Sequence, residues 1–132
     1  MDRPRKRPSL DHWYALKLRI RCELVEYEAR DRVISRLNAE TEAMIHCGNL
    51  CAWHGYRSLF QLFVDSAMDL ALSRPWRRRC LGLAQQTLDY LEQVSMRSGR
   101  STCVVRLKQQ FAHARHGAAY PFASSAHHGL RP

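Results

Sequence analysis

The chain has 132 residues, 45% of them hydrophobic, and 21 Lys and Arg stand against 12 Asp and Glu for a net charge of +9. That length suits one compact domain with a core of its own rather than a multidomain assembly or a miniprotein dependent on staples. No apolar run approaches the ~20 residues needed to span a bilayer, and the opening MDRPRKRP lacks the apolar stretch of a secretory signal.

Residues 1–8 carry Arg3, Arg5, Lys6 and Arg7 with two prolines and nothing to bury, so they read as a disordered basic arm. The same patch fits a short nuclear-import signal, although such runs are frequent by chance in arginine-rich chains. Ser9, followed by Leu10 and Asp11, is a helix N-cap with an acid in the first turn.

The next stretch carries two patterns. Leu16, Leu18, Ile20, Cys22 and Leu24 alternate with charged residues as in a strand, while Trp13, Leu16, Ile20, Leu24, Tyr27, Ile34 and Leu37 keep helical spacing. A second helical row runs through Tyr14, Leu18, Cys22, Val25, Ala29 and Val33. No second alternating segment exists to pair with a strand, and neither Gly nor Pro interrupts residues 9–47. The expectation is therefore a helix, broken if anywhere near Asn38, and packed on two sides at the centre of a bundle. The strand alternative would place Lys17, Arg19 and Arg21 on one face of a DNA-reading ribbon.

Gly48 and Asn49 stop this helix, and Gly55 marks a second weak point. From Tyr56 the positions Leu59, Phe60, Phe63, Ala67, Leu70 and Ala71 predict an amphipathic helix ending near Ser73. Pro75 suits the first turn of another, with Trp76, Cys80, Leu83, Ala84, Leu88, Leu91 and Val94 on one face and Gly99 closing it. Ser101 caps a last helix with Val104, Leu107, Phe111 and Ala114 buried, closed by Gly117; residues 118–132 lack periodicity and read as a disordered tail. The architecture predicted is all-α: a single small helical bundle of four or five helices over residues 9–117, with a basic N-terminal arm and disordered C-terminal tail, its later helices antiparallel to their neighbours.

Only Lys6, Lys17 and Lys108 are lysines, the other cations being arginines, whose planar fork grips phosphate or carboxylate through two bonds. A GC-rich or overlapping gene produces the same bias, so the sign of the charge is the stronger signal. The cations gather in the arm, at Arg74, Arg77, Arg78 and Arg79, and in the stretch after Glu92, which holds Arg100, Arg106 and Lys108 and no acid. Arginines at a helix N-terminus oppose the macrodipole, a conflict that a bound anion would relieve. The plain alternative is a solvated, solubilising face.

His46, Cys47, Cys51 and His54 offer two thiols and two imidazoles in nine residues, donors that suit zinc, but the spacing matches no standard finger. The competing expectation is that these cysteines are small core residues at a helix boundary. Five scattered cysteines show no disulfide-scaffold rhythm and suit a reducing compartment, cytoplasmic or nuclear. No phosphate-cradling glycine loop, nucleophile elbow or paired-carboxylate motif is present, so no enzyme and no cofactor is expected. His113, His116, His127 and His128 read as exposed pH-sensitive charge, and the tryptophans as core fillers. The leading functional expectation is a small basic regulatory or accessory protein that binds nucleic acid through phosphates. The alternative is a helical adaptor that docks on a protein partner through an apolar helix face or an acidic patch, and a homo-oligomer is compatible with either.

Overall fold

The computed structural model describes residues 9–119. The predicted arm 1–8 and the tail from residue 120 lie outside the described residues. Five α-helices follow one another: α1 (Leu10–Arg21), α2 (Arg30–His46), α3 (Ala52–Met68), α4 (Arg74–Ser98) and α5 (Ser101–Ala119), with a single 3-10 turn at Tyr27–Ala29 before α2. Among the described residues there is no strand, so the ribbon alternative for residues 16–24 is overturned. No described helix is long and apolar enough to cross a membrane.

The predicted single helix over 9–47 is two helices, and the break falls at 22–29 rather than near Asn38. Glu23 turns the chain with φ +54°, a conformation rare outside glycine. The N–H of Leu24 donates to the Arg19 carbonyl across that turn, closing α1. One apolar row of α1 (Trp13, Leu16, Ile20) is buried, whereas Tyr14 and Leu18 of the second row face solvent. α1 is thus packed on one side only.

The central helix is α3. It buries Trp53, Leu59, Phe60, Leu62, Phe63, Val64 and Ala67 and touches each of the other four helices. It begins four residues earlier than the sequence suggested because Cys51 caps it, its Sγ accepting the His54 N–H at 3.4 Å. Gly55 then falls inside the helix, where a Cβ would lie 3.2 Å from Ile45 Cδ1; the glycine lets α2 and α3 approach closely. It ends at Met68 rather than Ser73, which leaves Leu70 exposed in a turn.

α4 has Pro75 in its first turn and Gly99 closing it in the left-handed conformation at φ +72°, both as predicted, while its N-cap is Ser73, which the sequence pattern assigns to the end of the preceding helix. α5 passes Gly117 and runs to Ala119. Successive helices alternate in direction, so α1, α3 and α5 run parallel. Arg100 lies over Trp53 at the start of α3 and α5, and Gly117 lies against Met68 at the ends of both. A buried pair ties α1 to α2: Trp13 Nε1 donates to Thr41 Oγ1 at 2.8 Å, and that hydroxyl donates to the Leu37 carbonyl.

Candidate functional site

At the start of α4 the sequence shows Arg74, Arg77, Arg78 and Arg79 crowded where the dipole disfavours them. The fold answers the conflict from within. The Glu23 carboxylate sits at the N-cap, accepting from the Ser73 N–H at 2.6 Å, from Ser73 Oγ and from the Arg30 guanidinium at 2.8 Å. Arg79 reaches Asp31 at 3.0 Å. Arg21 pairs with Asp69 at 2.6 Å, and its guanidinium, with the Ala71 N–H and the charge of Arg77, holds the Asp69 carboxyl below the usual range. Arg77 itself is half-buried, its Nε without a hydrogen-bond partner, while Arg74 and Arg78 are exposed. The anion called for by this helix start is the chain's own Glu23.

The other predicted cations lie elsewhere. Arg100 is half-buried over the Trp53 ring at 5.4 Å, Lys108 is paired with Glu92, and Arg106 is exposed on α5. Arg74 and Arg100 bracket α4, a helix of 25 residues, so about 37 Å of helix separates the two groups. They do not form one surface, and Arg3, Arg5, Lys6 and Arg7 lie outside the described residues.

His46, Cys47, Cys51 and His54 are all exposed, and no cluster of three or more metal-ligating side chains forms among the described residues. The expectation that Cys47 and Cys51 are small core residues does not hold. They are exposed helix caps: Cys47 ends α2, its N–H donating to the Ala43 carbonyl, and Cys51 begins α3. Cys80 is the buried thiol, pushed up to about 12 by desolvation first and Glu23 second. Cys22, Cys47, Cys51 and Cys103 should therefore react at once with a thiol reagent in the folded protein, and Cys80 only on unfolding. Prompt labelling of Cys80 under native conditions would contradict the packing around it.

The surface that the sequence did not single out is a groove. Among the described residues the backbones of α1 and α5 stay apart, and the strip of α3 with His54, Arg57, Gln61, Asp65 and Met68 is exposed. Its α1 side is a depression of about 360 Å³ lined by Tyr14, Lys17, Leu18, Arg21, Ser58, Gln61, Leu62 and Asp65. The rim is apolar: Leu10, Tyr14 and Leu18, spaced four apart, are 46%, 57% and 59% exposed. Tyr14 and Leu18 belong to the second apolar row of the sequence, a pattern that a core face shares. No family model, no curated protein and no solved structure matches the chain.

Proposed function

We propose that this chain is a helical adaptor that docks an acidic, amphipathic helix of a partner protein in the groove over α3, between α1 and α5. The observation that carries the reading is the row Leu10–Tyr14–Leu18, large apolar side chains left in water along one edge of a cleft whose wall also holds Leu62. An exposed apolar row of this kind is a surface on which an amphipathic partner helix can lay its apolar face. The net charge of +9 and the cations Lys17 and Arg57 along the cleft select for acidic partners over basic ones.

Nucleic-acid binding through phosphates is the second reading. It is supported by the absence of any acid after Glu92, which leaves α5 with cations only. One set of measurements separates the two. A displayed library of 16-residue helices with varied apolar and charged positions should yield binders to the folded chain, and Leu18→Glu should reduce their affinity at least tenfold with helicity unchanged. Binders indifferent to Leu18→Glu, or no binders at all, would overturn the docking reading. Tight DNA or RNA binding that weakens steeply with salt would favour the phosphate reading instead.

A further inference from the structure

Around α3, Tyr56 and Phe63 lie roughly opposite Gln61 and Asp65 of the groove. On that far side a depression of about 190 Å³ opens between α2 and α4, and it shares no lining residue with the groove. The backbones of α2 and α4 stay apart, while α3 packs against both. α2 contributes Asn38 and Glu42, and α4 contributes Gln86 and Tyr90, each pair four residues apart and so on one helix face. α3 contributes Tyr56, and the buried Phe63 and Leu83 give the depression its apolar bottom.

Tyr56 and Tyr90 stack, with ring centroids 4.1 Å apart and planes tilted by 38°. They therefore make one aromatic wall rather than two sides of a slot. Tyr90 is 41% exposed, which keeps part of that wall open to solvent. Glu42 stands close enough for its charge to act on the Tyr56 hydroxyl, which desolvation first, Tyr90 second and Glu42 third push up to about 12.

Glu42 is the formal charge in this lining. Elsewhere Glu23, Asp31, Asp69 and Glu92 each meet a Lys or Arg. Yet in a chain of net charge +9 no cation lines this depression, and Glu42 enters no ion pair among the described residues. Asn38 and Gln86 add amide oxygens that can accept from an N–H. An anion here would meet a carboxylate and the negative faces of two rings. A cation is attracted by both, and an apolar chain attached to it can cover Phe63 and Leu83.

We infer that this depression binds a primary alkylammonium group, its charge against Glu42 and the tyrosine wall and its carbon chain toward Phe63 and Leu83. The group is supplied either by a free amine or by a lysine side chain of a peptide. The site is independent of the docking groove.

The test follows the amide NMR spectrum of the full chain at low ionic strength. Butylammonium, and separately a lysine capped at its amino and carboxyl ends, are added up to about 50 mM. At least one should shift the amides of Glu42, Tyr56 and Tyr90 saturably, and the tighter binder identifies the source. Butanol, the neutral analogue, should give no saturable shift over the same range. Glu42→Gln should weaken binding about fivefold, the scale of one exposed charge pair. Tyr90→Leu should weaken it about threefold, the scale of an exposed cation–π contact. Both residues are exposed, and unchanged amide shifts away from the depression check that the variants fold. No saturable shift with either ammonium, equal binding of butanol, or a Glu42→Gln variant that binds as tightly as the wild type would overturn the site.

Discussion

Truncating Trp76 to alanine should cost about 3–5 kcal/mol, the range for removing a fully buried large aromatic. The indole is 0% exposed in the first turns of α4, where it closes the end of the bundle at which α1, α2 and α4 meet. Its Nε1 donates to the Ile20 carbonyl at 3.0 Å, a second donor to a carbonyl at the end of α1 that also accepts the Glu23 N–H. The Arg30 guanidinium lies 5.1 Å from its ring, a cation–π contact from the start of α2. Trp76→Phe separates these contributions. It keeps an aromatic ring but removes the indole donor, leaving the Ile20 carbonyl with the Glu23 N–H alone, so the lost hydrogen bond should cost about 0.5–1.5 kcal/mol. Urea unfolding of the two variants with unchanged m-value measures the difference directly. A Trp76→Ala cost below about 1 kcal/mol would mean that this end of the bundle is not packed as described.

The later part of the fold was legible because its punctuation is local. Pro75 and Gly99 bracket α4, and the apolar positions between them at helical spacing are buried, Val94 only partly. The apolar spacing carries α3 on to near Ser73, whereas Ser73 followed by Pro75 is the N-cap signature of the next helix, an equally local signal. The break after α1 was not legible. No glycine or proline marks it, and Glu23 adopts a positive φ because its side chain is held by Ser73, 50 residues away, and by Arg30.

The candidate site divides the same way. The crowding of arginines at α4 is visible in sequence, but its neutralisation by Glu23, Asp31 and Asp69 depends on contacts across 48 to 50 residues or on a turn. An apolar row on a helix likewise looks the same whether it meets a core or water. Tyr14 and Leu18 could be told from Trp13 and Leu16 only after α1 was placed beside α3.

Glu23 gives the second large effect, and it tests how the chain supplies its own anion. Its carboxylate accepts from Ser73 N–H, Ser73 Oγ and Arg30, and both it and Arg30 are largely shielded, with side chains 17% and 19% exposed. Removing it leaves the N-cap N–H of α4 without that acceptor and Arg30, whose Nε already lacks a partner, without its counter-charge. Hydrogen bonds to charged groups contribute about 1.5–3 kcal/mol each and are not additive, so Glu23→Ala should cost about 2–4 kcal/mol. Backbone conformation adds a second, opposing term at the same position. At φ +54° a side chain other than glycine is strained by roughly 1 kcal/mol, which Glu23→Gly would relieve. The expected order of stability is wild type, then Glu23→Gln, which keeps an acceptor for Ser73, then Glu23→Gly, then Glu23→Ala. If Glu23→Ala were neutral in urea unfolding, the arginines of α4 would be repelling one another unanswered, and the case for an external anion at that helix start would return.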